Sequence, residues 1–227
     1  MKKTINITAL LIAIFISSTG FASSNVHLDA ADTDISNKQS LQNGAKLFMN
    51  YCSGCHSLGL MRYNRFVEDL GIPEKAVANN LMFSGEKTGE LIKSPISEKE
   101  SANWFGATPP DLSLVSRYKG TDWIYTFLRS FYDDESKPYG VNNHIFESVA
   151  MPDILWKLRE DSSEQEFNNE VRDIVNFLDY VGEPAKLIRG SIGTKVIGFL
   201  FILLILAYLL KREYWKDVKY GKWRVKN

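Results

Sequence analysis

The chain has 227 residues with 27 basic and 27 acidic side chains, a formal net charge of zero, and only two cysteines. The balance hides an asymmetry: residues 23–194 carry 17 Lys and Arg against 25 Asp and Glu, net −8, and much of the basic charge gathers at the two ends. A basic nucleic-acid surface is therefore excluded, whereas a positively charged protein partner suits the acidic body.

Residues 1–22 read as a signal peptide. Lys2 and Lys3 open it, an apolar run from Ala9 to Ile16 follows, and Gly20 and Ala22 supply small residues for cleavage. The run is short for a membrane span, which takes roughly 20 residues. The body, residues 23–190, is then expected on the exported side, where disulfides persist.

The first helix is predicted in "SLQNGAKLFMNYCSGCH", with Ser40 as its cap. Leu41, Ala45, Phe48, Met49 and Cys52 fall at spacings of three and four, which places them on one helical face. Gly44 inside the run costs about 1 kcal/mol relative to alanine. It either admits a close helix crossing or is merely tolerated, and the sequence alone favours neither.

Both cysteines follow at once, in Cys52-Ser53-Gly54-Cys55-His56. A disulfide here would close a very small loop and constrain little of the unfolded chain. A thioredoxin-like pair needs a preceding strand, and a zinc site needs a second ligand pair. The other histidines, His27 and His144, are unpaired in sequence. C-x-x-C-H is the attachment motif of covalent c-type haem: the thiols add across two vinyl groups, and the adjacent imidazole can ligate iron.

Residues 71–101 are polar and weakly periodic, which reads as loop with short helices. A helix is predicted from Asp122 to Phe131, capped by Thr121. A longer one follows Ser162 or Ser163, with Gln165 or Glu166 completing a capping box. Phe167, Val171, Ile174, Val175 and Leu178 line its buried face, and Gly182 and Pro184 stop it. No stretch alternates well enough to predict a sheet. The expected fold is a mostly α domain with long loops, part of its core filled by haem.

Residues 191–212 read as a single transmembrane helix. Val196 to Leu210 carries no charge, Lys195 can snorkel, and Lys211, Arg212, Tyr214 and Trp215 form an interfacial stop. The tail, 213–227, is basic, and the positive-inside rule puts it in the cytoplasm. With the signal peptide, this predicts a large exported domain held in the membrane by a single C-terminal helix.

A haem iron held by His56 has one further axial position, and its occupant decides between electron transfer and ligand chemistry. The candidates are Met49, Met61, Met82, Met151, His27 and His144. Met49 and Met61 lie too near His56 in sequence to cross easily to the opposite haem face. Pro152 biases Met151 towards extended backbone, and a thioether there would favour reduced iron. Chemistry favours Met151 and leaves His144 open.

Four blocks, "YCSGCHSLGLMRYNR", "WFGATPPDLSLVSR", "DWIYTFLRSFYDD" and "NNHIFESVAMPDILW", occur in an order that resembles the cytochrome c1 family, bacterial branch. With the signal and anchor, the resemblance covers nearly the whole chain. It implies a class I-like cytochrome c domain holding one covalent haem c, with Cys52 and Cys55 as attachment sites and His56 and Met151 as iron ligands. It also implies that Pro109 and Pro110 pack against the haem edge and that Arg117 reaches a propionate, as guanidinium chemistry suits. Two departures stand out: Trp123 where mitochondrial relatives often have tyrosine, and Asp153 where they often have proline. The extra cysteine pair that forms a disulfide in some relatives is absent.

The implied function is electron relay within a dimeric cytochrome bc1 complex. Electrons arrive from a Rieske iron–sulfur protein beside cytochrome b and leave to a c-type cytochrome acceptor, and the chain breaks no substrate bond. Asp111, Asp133, Asp134 and Glu135 are acidic candidates for steering that acceptor. Competing readings are a membrane-anchored cytochrome c subunit of a terminal oxidase, expected to lack the proline block, and an open-site haem sensor or peroxidase, which needs Met151 unbound.

Overall fold

A computed structural model describes residues 26–221. The segment expected to be a signal peptide and the last six residues of the basic tail lie outside the described residues. Helix α1 spans Lys38–Tyr51. Its cap is Asn37, whose side chain accepts the Ser40 N–H at 3.1 Å. Ser40, expected to cap, already lies inside the helix, and its hydroxyl donates to Asp173 Oδ1 at 2.5 Å. The shift follows from the sequence Asn37-Lys38-Gln39-Ser40, in which two good capping residues compete and the earlier one wins.

Helix α8, Glu164–Gly182, carries the capping box predicted for it: the Ser163 hydroxyl accepts the Glu166 N–H while Glu166 reaches back to residue 163. Its face of Phe167, Val171, Ile174, Val175, Phe177 and Leu178 is buried, and it packs across the Leu41, Ala45, Phe48 and Met49 face of α1. Gly44 sits at the crossing. A Cβ there would overlap the Asp173 carbonyl oxygen and lie 2.7 Å from Phe177 Cβ. The glycine is therefore required for the two backbones to touch. Phe48, Phe177, Phe66 and Tyr63 continue the seam as aromatic contacts with centroids 5.7 to 6.2 Å apart.

Shorter elements wrap this pair. They are β1 (Leu58–Arg62), α2 (Asn64–Glu68), α3 (Glu74–Asn80), β2 (Leu91–Ile92), α4 (Glu98–Phe105), α5 (Val115–Tyr118), α6 (Thr121–Arg129), β3 (Phe131–Asp133), β4 (Val141–Asn143) and α7 (Trp156–Asp161). Two antiparallel ribbons correct the expectation of no sheet: β1 pairs with β2, Leu58 opposite Ile92, and β3 with β4, Phe131 opposite Asn143. Strands of two to five residues are too short to show a period of two in sequence. Helix α6 also differs from expectation. Thr121 is its first residue, Gly120 at φ +89° precedes it, and Phe131 has left it for β3. Residues 71–101 do hold short helices between loops, with β2 added.

Helix α9, Lys186–Lys219, leaves the domain after Pro184. It includes the predicted span and is long and apolar enough to cross a membrane, with none of its apolar stretch buried against the domain. Two ion pairs brace its first turns against α8: Lys186 Nζ with Asp179 Oδ2 at 2.7 Å, and Arg189 with Glu183.

Candidate functional site

The cysteines sit where α1 ends. Cys52 is its C-cap, with its N–H donated to the Phe48 carbonyl at 2.8 Å. The chain then turns back on itself: the Cys55 and His56 N–H groups both donate to the Cys52 carbonyl, at 3.1 and 2.9 Å. The Ser53 hydroxyl closes the helix end on the Met49 carbonyl at 2.7 Å. Both thiols are free. Burial, with the neighbouring Cys55 charge, pushes the Cys52 thiol up to about 12, and burial also raises Cys55, which is half-buried.

His56 is 9% exposed, and its Nδ1 lies 2.8 Å from the Pro110 carbonyl oxygen. A carbonyl only accepts, so Nδ1 carries the proton and Nε2 keeps its lone pair. Burial pulls the imidazole pKa below its usual range, opposed by the Pro110 bond and by the Asp111 charge.

The Pro109–Ser113 loop is fastened to the strand after the motif. Leu112 N–H donates to the Ser57 carbonyl at 2.9 Å. Asp111 accepts the Gly59 and Ser113 N–H groups, each at 2.7 Å, and the Ser113 hydroxyl accepts the Leu60 N–H at 3.1 Å. A Cβ at Gly59 would stand 2.8 Å from Asp111 Oδ2, so the loop lies tightly on the strand. Sequence reasoning read Asp111 only as a steering charge and missed that it staples the loop supplying the His56 acceptor. The Asp-x-Ser spacing after two prolines was the available signal, since such residues turn the chain through their own backbone N–H groups.

The remaining predicted residues fall as follows. Met151 is half-buried and packs against the same apolar core as Cys52. Met49 and Met61 are buried in that core, each 2% exposed, and Met82 packs at its edge. The His27 side chain is 90% exposed. His144 is exposed and stacked on Tyr132 with ring centroids 4.3 Å apart. Arg117, on α5, gives Nη1 to Glu183 Oε2 at 2.9 Å. Trp123 stacks on Phe127 at 5.0 Å beneath the Lys119 ammonium, so it packs among helix neighbours. Asp133, Asp134 and Glu135 lie at the β3–β4 hairpin. The site thus offers two unpaired thiols one helical turn apart, an imidazole held in a single tautomer with Nε2 free, and thioethers near the same core. That donor set fits a c-type haem.

Residues 33–218 match the Cytochrome C1 family. The chain belongs to the cytochrome c1 family. It is 47% identical to a cytochrome c1 of Allochromatium vinosum over 96% of this chain and the relative's full length. It is 41% identical to the ammonia monooxygenase gamma subunit of Nitrosomonas europaea, over 92% of this chain and 96% of that one. A mitochondrial cytochrome c1 haem protein of Schizosaccharomyces pombe is 29% identical over 81% of this chain and 68% of the relative. The family resemblance read from the four sequence blocks is borne out, and so is the mostly helical fold with one C-terminal apolar helix. The function is that of the cytochrome c1 family: a haem-bearing electron-transfer subunit of the bc1 complex.

Proposed function

We propose that the chain carries one haem c, which Cys52 and Cys55 would hold through thioethers and to whose iron His56 Nε2 and the Met151 sulfur would be the ligands. The observation that carries this reading is the His56 Nδ1–Pro110 carbonyl hydrogen bond, which leaves Nε2 as the imidazole's only donor towards a metal. When bound, the haem supplies a one-electron couple, and every other contribution belongs to the polypeptide. His56 is aimed and made more basic by Pro110. Met151 contributes a neutral, soft donor that favours the reduced state. Pro109 and Pro110 give a stiff wall without N–H groups to satisfy. Arg117 has guanidinium donors beyond the one held by Glu183, and these suit a propionate.

In this reading electrons come from a Rieske iron–sulfur protein and leave to a c-type cytochrome, with Asp133, Asp134 and Glu135 steering the acceptor. Residues 1–22 are removed as a signal peptide. Residues 23–190 lie in the periplasm, 191–212 cross the inner membrane, and 213–227 end in the cytoplasm, within a dimeric assembly beside cytochrome b. The test is optical and compositional. The purified chain keeps its pigment in acidic organic solvent, and the oxidised form shows the weak near-infrared sulfur-to-iron band, which vanishes in Met151→Ala. Pigment lost to the solvent, or rapid carbon monoxide binding by the reduced wild type, overturns the covalent six-coordinate assignment. Co-purification with a dihaem cytochrome b and a Rieske protein supports the assembly. Recovery with monooxygenase subunits instead moves it to that named for the Nitrosomonas relative.

A further inference from the structure

The segment that delivers Met151 has little regular structure of its own. From Ile145 to Leu155 no helix or strand forms, Ser148 stands at φ +59°, and Pro152 has no N–H to give. Its C-terminal side is fixed by one carboxylate. The Asp153 side chain is 8% exposed, far less than an aspartate on a loop usually is. Its Oδ1 accepts the Leu155 N–H at 3.2 Å, and its Oδ2 accepts Arg159 Nη1 at 2.7 Å.

Arg159 is held in turn from the other side. It lies on α7, its guanidinium carbon stands 5.0 Å over the Phe167 ring of α8, and its other amino nitrogen is buried with no partner among the described residues. Among the described residues, Asp153 is the one carboxylate paired with it. Next to this pair, Leu155, 1% exposed, plugs the core. A partly desolvated ion pair contributes little net stability but fixes a register, because separating the charges leaves one buried and uncompensated. Here the register fixed is that of the chain two residues after Met151.

We propose that Asp153, through Arg159, is a positioning residue that holds the Met151 thioether on the iron. The proposal rests on the reading of Met151 as the axial ligand. Directly after Pro152 this chain has a charge, which Arg159 ties to the Phe167 ring of the long core helix. Without the clamp, the C-terminal side of the Met-Pro segment would be held by the Leu155 plug, while its N-terminal side keeps buried Val149 and the Ser148 N–H bond to Asn142, so the thioether would be positioned less firmly.

The test uses the full-length, haem-loaded chain in detergent. Wild type is read first: without a near-infrared sulfur-to-iron band, the ligand reading itself fails and takes this proposal with it. Given the band, Asp153→Asn retains an acceptor for the Leu155 N–H but loses the ion pair. It is expected to lose at least half the band at neutral pH and to bind carbon monoxide in the reduced state at least tenfold faster, with covalent haem content unchanged. Arg159→Gln is expected to do the same, and Arg159→Lys to restore most of the band. A merely structural role gives the opposite pattern: Asp153→Asn and Arg159→Gln lower Tm but keep the wild-type band and carbon monoxide rate, which overturns the proposal. If Asp153→Asn does not accumulate, the Arg159→Gln and Arg159→Lys pair decides, and equal bands in the two refute it.

Discussion

The crossing of α1 and α8 offers the sharpest test of the packing argument, through Gly44→Ala. A methyl at position 44 would overlap the Asp173 carbonyl oxygen and press on its carbon and on Phe177 Cβ, each at 2.7 Å. Two of these atoms are backbone in the middle of a helix, so no rotamer change relieves the overlap. Overpacking a core site costs roughly 1–3 kcal/mol, and backbone on the far side places this site near the upper end, about 3 kcal/mol. Alanine's better helix propensity returns about 1 kcal/mol. The net loss is about 2 kcal/mol, which at roughly 2–4 °C per kcal/mol lowers Tm by roughly 4–8 °C. The assay is thermal unfolding followed by far-ultraviolet circular dichroism on the haem-loaded chain. Gly89→Ala serves as control, because a Cβ there meets nothing within 4 Å. A Gly44→Ala Tm equal to or above wild type would show that the helices can part at no cost, and the close-crossing account would fail.

Further outcomes follow from side-chain hydrogen bonds and ion pairs along α8. Tyr180 is fully buried and donates to Asp69 Oδ2 at 2.5 Å, so Tyr180→Phe costs about 1.5 kcal/mol, as a hydrogen bond to a charged acceptor does. Burial first, and then the bond to Asp69 and its charge, raise the phenol's folded pKa well above 10.0. The raised value means stability is fully present below the unfolded pKa and is lost as pH rises past it, so wild-type Tm drops faster above about pH 10 than that of Tyr180→Phe. Parallel Tm curves for the two proteins would refute this. At the anchor, Asp179→Asn removes a carboxylate that is 9% exposed and accepts from both Thr33 and Lys186, and is expected to cost about 2 kcal/mol. Glu183→Gln, whose two arginine partners are 55% and 57% exposed, is expected to cost under about 1 kcal/mol, and calorimetry that reversed this order would refute the ranking.

What could be read from the sequence was local. The thiols and their imidazole lie within five consecutive residues, and a capping box followed by apolar positions at helical spacing gave α8 nearly to the residue. What stayed hidden depended on partners far along the chain. Gly44 could not be decided because its neighbour Asp173 is 129 residues away, and the cap falls on Asn37 rather than the expected Ser40, whose hydroxyl goes to the same distant Asp173. The β3–β4 hairpin ended α6 two residues early, since Phe131 finds a ladder partner in Asn143 that helix propensity cannot foresee. Asp111 and Asp153 were read as a surface charge and as a departure from relatives. Each proves to be a staple, on the proline loop and on the methionine segment respectively.

These staples share an arrangement that bears on how the site is held. The thiols leave α1, which lies against α8 at Gly44. Helix α5 is sewn to the end of α8, where the Ser116 hydroxyl donates to the Leu178 carbonyl at 2.9 Å and a Cβ on Gly182 would strike that hydroxyl. The methionine segment is tied through Arg159 to Phe167 near the start of α8. The same helix then passes through Asp179 and Glu183 into the anchor. The thiol-bearing end of α1, helix α5 and the methionine segment are thus each fastened to one helix of 19 residues, whose C-terminal end is joined to α9 by two ion pairs, while the proline loop is stapled instead to the strand after the motif. Such a mount lets any single segment loosen without moving the others, which is why a clamp mutation at Asp153 is expected to change iron ligation while leaving covalent attachment intact.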